Sequence, residues 1–153
     1  NISNIWQPFS SSPPTVEMAD FALNKEMEYG PILETRLNGI LNNRYGVVKI
    51  SLDYFSNHNH NGLITLTVFH KNKQVLWQGI TLDEYKSPEV STYWNTAYLN
   101  VSLTNIIKPN NSLTDYKIKV LYWNKNHQPI QIRNFKVSIA EGNKYEFATI
   151  EPI

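Results

Sequence analysis

Aromatic and amide side chains are the residues of this sequence best suited by type and spacing to form a binding site. The chain has four Trp and nine Tyr. Sugars present C–H faces that stack on flat rings, and their hydroxyls are bonded by amide, carboxylate and guanidinium groups. Trp123 precedes Asn124 and Asn126, and Trp94 precedes Asn95. These neighbours predict a surface that binds sugars.

The orientation of each Trp decides whether it is available to a ligand. Trp123 shares its alternation phase with Lys117 and Lys119, so it is expected on the face opposite Ile118 and Val120. The alternative for any Trp near a strand end is a structural role, in which it caps the core or covers a sheet edge. Trp77, between Leu76 and Ile80, is predicted to have one of these two structural roles. The candidate ligand-binding residues are Trp94, Trp123, Asn124, Asn126 and Arg133.

Metal chemistry has one candidate in the sequence. His58 and His60 would point to one side of a strand, with His70 or Asp53 as further ligands. Both residues lie in an Asn-rich turn, where polar side chains need no special explanation. We therefore predict no metal and no cofactor.

Catalytic motifs are missing. The sequence contains no G-x-S-x-G and no H-E-x-x-H, and its six glycines are too dispersed for a phosphate loop. Asp83 and Glu84 are adjacent and would point apart. We predict no catalytic residue and no enzymatic activity. A small hydrolase with a carboxylate pair assembled only by the fold stays open as an alternative.

Charge and composition exclude several classes of protein. There are 14 Lys and Arg against 13 Asp and Glu, which gives a net charge of +1 and no basic face for nucleic acid. Cysteine is absent, which excludes disulfides and zinc thiolates. No apolar run approaches a membrane span. The chain begins at Asn1, so we expect any signal peptide or membrane anchor to lie outside this sequence.

Period-two alternation dominates from residue 19 onward and predicts an all-β fold. The clearest strand is 46–55, with Val48, Ile50, Leu52 and Tyr54 on one face. Further strands are expected at 28–37 (an edge or bulge at Pro31), 62–71, 74–82, 93–103, 115–123 and 130–139, with an edge strand at 145–150. Seven or eight strands separated by polar loops predict an antiparallel β-sandwich of the jelly-roll type.

Two local features refine this fold. Between Ile132 and Phe135 the apolar phase switches, which predicts a β-bulge at Arg133 and Asn134. Short helical turns are expected at 20–27 and 82–87. The Pro/Ser tract within residues 1–18 is expected to stay out of the sheet, as a linker or a terminal arm. The predicted organisation is a leader at 1–18 and one sandwich domain at 19–153.

The second half of the chain resembles a known group of domains. Trp94-Asn95 precedes a strand at 98–103, "WN" ends the strand at 116–124, and "I-x-I-x-N-F-x-V" forms the strand at 130–137. Over about residues 45–140 this order resembles the galactose-binding-like jelly rolls, the carbohydrate-binding-module type of accessory domain in bacterial surface proteins. Those domains often carry an acid that helps to bind calcium where Arg133 stands. A cation cannot ligate calcium, so no metal site is implied.

The resemblance implies a non-catalytic accessory domain outside the cytoplasm, on the cell surface, in the periplasm or secreted. Its expected partners are a glycan or other domains of the parent protein, without nucleic acid. Membrane contact is expected only through an anchor outside this sequence. The alternative is a structural spacer or protein-docking module of a larger membrane or surface protein, with an exposed apolar patch or sheet edge.

Overall fold

The computed structural model describes residues 7–9, 12–17, 20–38, 40–41, 43–56, 62–82 and 94–141, with the backbone alone for 7–9 and 12–14. In this part of the chain the strands are β1 Gln7–Phe9, β2 Ser12–Glu17, β3 Phe21–Leu23, β4 Tyr29–Arg36, β5 Val47–Phe55, β6 Leu63–His70, β7 Lys73–Thr81, β8 Asn95–Ser102, β9 Tyr116–Trp123 and β10 Ile130–Ala140. One 3-10 turn, Leu113–Asp115, precedes β9.

The strands form two antiparallel sheets. The six-stranded sheet has the order β1-β2-β10-β5-β8, with β3 paired to β10, and the four-stranded sheet has the order β4-β9-β6-β7. After β3 the chain passes from one sheet to the other at every connection except the β6–β7 hairpin. The fold is therefore the predicted all-β sandwich.

The core lies between the sheets because each strand alternates apolar and polar residues. Val48, Ile50, Leu52 and Tyr54 of β5 are all at most 3% exposed, as their phase predicts. The other buried residues of the two inner faces are Val16, Leu23, Leu33, Ile64, Leu66, Val68, Ala97, Leu99, Val101, Tyr116, Ile118, Val120, Tyr122, Ile130, Ile132, Phe135, Val137 and Ile139. The outer faces of both sheets carry the polar residues.

The bulge predicted in the last strand is present. The register of β10 against β5 shifts between Arg133 and Lys136, and Asn134 adopts a φ of 56°. The Asn134 amide donates to Asp53 Oδ2 at 2.8 Å, and Thr96 donates to Asp53 Oδ1 at 2.6 Å. The edge position and bulge predicted at Pro31 are also found, because β4 is an edge strand with a register shift between Tyr29 and Ile32.

Two predictions near the N-terminus are wrong. Residues 21–23 form a strand rather than a helical turn, because Phe21 packs 6.4 Å from Phe135 and Leu23 is buried opposite Ile130. Residues 12–17 of the Pro/Ser tract lie in the sheet between β1 and β10, with Val16 fully buried. A burial gain for these side chains outweighs the local turn preference. The domain boundary at residue 18 stays a prediction.

Several sequence predictions fall on residues outside the described ranges. These are the turn with His58 and His60, the helical turn over 83–87 and the edge strand at 145–150. Among the described residues, no helix has the length and hydropathy needed to cross a membrane.

Candidate functional site

The outer face of the four-stranded sheet carries a shallow groove lined largely by aromatic rings. Four strands contribute, because β4, β9, β6 and β7 lie side by side and every second residue points outward. The groove has a volume of about 300 Å³. Its lining residues, which define the aromatic groove, are Tyr29, Thr65, Thr67, Phe69, Gln74, Trp77, Lys119, Leu121 and Trp123.

Trp77 is the most exposed Trp ring of the groove, at 47% of its surface. This exposure excludes the core-capping position, which is one of the two structural roles predicted for Trp77. Leu76 and Ile80 face inward on the edge strand β7, so Trp77 between them faces out. The indole leans over Gly79, since a Cβ built at Gly79 would lie 2.8 Å from Trp77 Cη2. Because Gly79 has no side chain, the ring lies close against the strand.

A second pair of rings stands at the other end of the groove. Tyr29 and Trp123 are cross-strand partners with ring centroids 6.5 Å apart and planes 22° from parallel. Trp123 Nε1 donates to Glu28 Oε2 at 3.2 Å. The Glu28 carboxylate also accepts a hydrogen bond from the Tyr29 hydroxyl, and this bond is the main cause of a raised pKa for the Tyr29 phenol. Glu28 therefore holds both rings in place.

The two aromatic ends are separated along a diagonal of the sheet. Trp123 pairs with Leu63, and Trp77 pairs with Thr67 four residues further along β6. The Cα atoms of Trp77 and Trp123 are roughly 16 Å apart, because they are separated by two strand spacings across the sheet and by four residues along the strands. Because the Trp77 indole leans toward Gly79, in the row next to Trp123, the rings are closer than the Cα atoms. The groove suits an extended ligand.

Polar groups lie between the rings. Thr65, Thr67 and Lys119 occupy the middle of the sheet, and Gln74 flanks Phe69 across the β6–β7 pair. Thr65 is largely buried and its hydroxyl donates to the Leu121 carbonyl at 3.3 Å. No carboxylate is found among the residues that line the groove in the described part of the chain. Hydroxyl, amide and ammonium groups beside flat rings can bind a polyhydroxylated molecule.

The five predicted site residues fall in two separate places. Trp123 lies in the aromatic groove, outward as its phase predicts. Asn124 follows it but is fully buried, with its amide donating to the Met27 carbonyl at 3.0 Å and its backbone N–H to the Glu28 carbonyl at 2.6 Å. Asn124 thus joins the end of β9 to the start of β4. Asn126 is half-buried in the same turn.

Trp94 and Arg133 lie on the other sheet. The Arg133 guanidinium is 3.9 Å from the centroid of the Trp94 ring, and Phe55 packs on the same ring at 5.9 Å. Arg133 pairs with Asp53 across β10 and β5, on the outer face of the six-stranded sheet. Arg133 and Phe55 therefore already cover much of the Trp94 ring. The structure brings Trp94 and Arg133 together but not with Trp123.

Sequence reasoning missed most of the groove. Trp77, Tyr29 and Phe69 were not among the candidates, although strict alternation in β7 places Trp77 in phase with Gly79 and opposite to Leu76 and Ile80. This alternation in β7 was the sequence signal that Trp77 faces outward. The pairing of β7 beside β6 and β9, which brings the rings to one face, depends on long-range topology.

Metal binding has no support within the described ranges, since no group of three or more His, Asp or Glu side chains is placed to hold an ion. Two other hollows lie elsewhere in the described part of the chain. One, of about 210 Å³, lies beside Phe55 and Pro129, and the other, of about 320 Å³, lies between Arg44 and Pro109. Neither combines several exposed rings with free polar groups as the aromatic groove does.

Comparison with known proteins gives only distant structural similarity. No protein family and no curated protein matches the sequence. A cyclase from Fischerella sp. TAU, in complex with 4-(1H-indol-3-yl)butan-2-one, is 9% identical with a TM-score of 0.46, over 90% of this chain and 80% of the cyclase.

Two carbohydrate-related structures show a similarly low sequence identity and TM-score. The Caldicellulosiruptor saccharolyticus CBM27-1, in complex with mannohexaose, is 12% identical with a TM-score of 0.35, over 89% of this chain and 79% of that one. The arabinose-bound MgGH51 α-L-arabinofuranosidase is 11% identical with a TM-score of 0.38, over 88% of this chain and 23% of the enzyme. None of these similarities is close enough to carry an argument about function.

Proposed function

We propose that this protein is a non-catalytic carbohydrate-binding domain and that it binds an oligosaccharide in the aromatic groove. The single observation that carries the proposal is the exposed Trp77 ring lying over Gly79 in a groove that also contains the Tyr29–Trp123 pair. Several rings gathered on one exposed face indicate an interaction surface, and sugar C–H faces are suitable partners for flat rings.

The groups around the rings support a sugar ligand rather than a wholly apolar one. Thr67, Gln74 and Lys119 offer hydroxyl, amide and ammonium groups within the groove. Each can bond a sugar hydroxyl at an orientation that the sheet fixes in advance. Because the strands form a rigid platform, little ordering entropy is lost on binding.

The absence of a carboxylate from the groove lining in the described residues supports a binding role over hydrolysis. A glycosidase needs two acids flanking the scissile bond. Glu28 and Glu34, the acids of this sheet nearest the rings, are bonded to Trp123 and Lys117 respectively. We further propose, from the resemblance noted in the sequence, that the domain acts outside the cytoplasm as an accessory to a larger protein.

The test is a binding screen of the purified domain on a broad glycan array, followed by calorimetry with each oligosaccharide found. Trp77→Ala should weaken binding at least about tenfold, equivalent to about 1.4 kcal/mol. Trp123→Ala should do the same. The matched control is Tyr98→Ala, which removes a ring of 52% exposure from the opposite sheet and should leave binding unchanged.

Protein docking is the second candidate function. The exposed aliphatic side chains of Ile32 and Met27, at 41% and 44%, lie on or beside the same sheet and favour an apolar partner. A folded domain that binds no glycan on the array would contradict the carbohydrate proposal and leave docking as the better account.

A further inference from the structure

The charge distribution of the aromatic groove indicates which kind of glycan it accepts. Lys119 is the charged residue of the groove lining, and it stands in the middle of the sheet opposite Thr67 of β6 and Glu34 of β4. Its side chain is half-buried. Whether its ammonium can pair with a ligand depends on the charged groups around it.

The carboxylate opposite Lys119 on β4 is already engaged. Glu34 Oε2 lies 3.3 Å from the ammonium of Lys117, the neighbouring lysine on the same face of β9. The Lys117 ammonium also stands 5.4 Å from the centroid of the Phe69 ring. No ion pair within 4.0 Å joins Lys119 to any acid in the described part of the chain. The Lys119 ammonium is therefore open to an anion from outside.

Further cations lie near the aromatic groove. Lys125 stands 5.7 Å from the centroid of the Trp123 ring, and Arg36 donates to the Thr114 carbonyl at the other end of β4. Within the groove lining, Lys119 is the one charged residue, and no carboxylate accompanies it in the described part of the chain. The groove lining is therefore locally positive.

We infer that the ligand is an acidic oligosaccharide and that Lys119 binds its negative group. This inference rests on the proposed function. The rings of Trp77 and Trp123 would stack on sugar faces toward either end of the groove, which places an anionic substituent near the middle, beside Lys119. The shared chemistry of such ligands is a carboxylate or a sulfate on a sugar ring, as in uronic-acid or sulfated glycans.

The experiment compares acidic oligosaccharides with neutral ones of the same backbone. Oligomers of galacturonate, glucuronate and mannuronate are each titrated beside the carboxyl-reduced counterpart, and a sulfated galactan oligosaccharide is titrated beside its desulfated form. We expect the native protein to bind at least one acidic member about tenfold or more tightly than its neutral partner. That preference should shrink as salt is raised.

Three variants separate the role of the charge from that of the side chain. Lys119→Met keeps most of the aliphatic stem and should abolish the preference for the acidic member, while the neutral member loses only the affinity of one hydrogen bond to a hydroxyl. Lys119→Arg keeps the charge and should retain most of the preference. Lys49→Met removes an exposed lysine from the outer face of the six-stranded sheet and should change nothing.

The outcomes distinguish the two proposals. Equal affinity for acidic and neutral members, or an acidic preference unchanged in Lys119→Met, would overturn this inference. The carbohydrate site itself would still be supported if Trp77→Ala lost binding. Failure of every oligosaccharide to bind the folded native protein would overturn both. A preference for the sulfated member alone would identify sulfate as the anion.

Discussion

At the scale of single residues, binding in the aromatic groove depends on how the exposed rings are held. Outward alternation correctly predicted the direction of Trp123. The same rule applied to β7 would have found Trp77, but its apolar neighbours Leu76 and Ile80 favoured a structural role over ligand binding. Hydrophobicity alone does not decide burial on an edge strand, because one flank of that strand has no neighbouring strand to cover it.

Gly79 allows the Trp77 ring to lie flat, and this leads to a prediction. Gly79→Ala adds a Cβ that would lie 2.8 Å from Trp77 Cη2 and 3.2 Å from Leu63 Cδ2. The indole must move, so oligosaccharide affinity should fall severalfold. Stability should be unchanged or slightly higher, since Ala loses less backbone entropy than Gly in a strand. Calorimetry measures the affinity and urea unfolding measures the stability. A loss of affinity that is accompanied by a loss of stability would contradict this role of Gly79.

Glu28 is predicted to control the titration of its neighbour. Its carboxylate raises the pKa of the Tyr29 phenol, chiefly by accepting a hydrogen bond from the neutral hydroxyl and also through its charge. Glu28→Gln removes the charge and weakens that bond, so the Tyr29 pKa should fall toward its ordinary value. An ultraviolet titration of the phenolate band, with Tyr29→Phe to assign the signal, measures the shift. An unchanged or higher pKa would show that Glu28 does not hold the ring.

At the scale of elements, the sequence predicted most of the strands because burial follows their alternation. It also predicted the bulge in β10, since the apolar phase switches between Ile132 and Phe135. It misassigned residues 21–23 as helical, because a three-residue strand is too short to show a period. This strand forms because Leu23 pairs with Ile130 and Phe21 packs against Phe135, and both partners lie more than 100 residues away along the chain.

The bulge at Asn134 gives a prediction about stability. Asn134 has a φ of 56°, which a β-branched residue adopts only at a cost. Asn134→Val should lower the free energy of unfolding by about 1–2 kcal/mol more than Asn134→Gly. Both variants lose the hydrogen bond to Asp53, so their difference isolates the backbone term. Urea unfolding measures it, and equal losses in the two variants would contradict this role of the bulge.

At the scale of the whole molecule, the sandwich class could be predicted but the candidate site could not. Strand alternation shows which residues face outward, yet it does not show which strands become neighbours. The predicted residues Trp94 and Trp123 end on opposite sheets, and Arg133 covers the Trp94 ring. The groove arises because β7 joins β6 and β9 in one sheet, which gathers Trp77, Phe69, Lys119 and Trp123 on one face.

The architecture separates stability from binding. The core lies between the sheets, whereas the groove lies on an outer face, so groove variants should leave the fold intact. A core variant behaves differently: Phe135→Ala, at a fully buried position, should cost about 3–5 kcal/mol of unfolding free energy. Chemical denaturation checks the contrast, which fails if Trp77→Ala destabilises the protein as much as Phe135→Ala.

The most direct test of the central claim is to map the bound oligosaccharide by NMR on isotope-labelled protein. Three described indole N–H groups serve as reporters, those of Trp77 and Trp123 on the four-stranded sheet and that of Trp94 on the six-stranded sheet. The account predicts that titration with a glycan that binds shifts the signals of Trp77 and Trp123 and leaves that of Trp94 in place. Shifts confined to Trp94 and the residues around Arg133 would place the site on the opposite sheet and contradict the account.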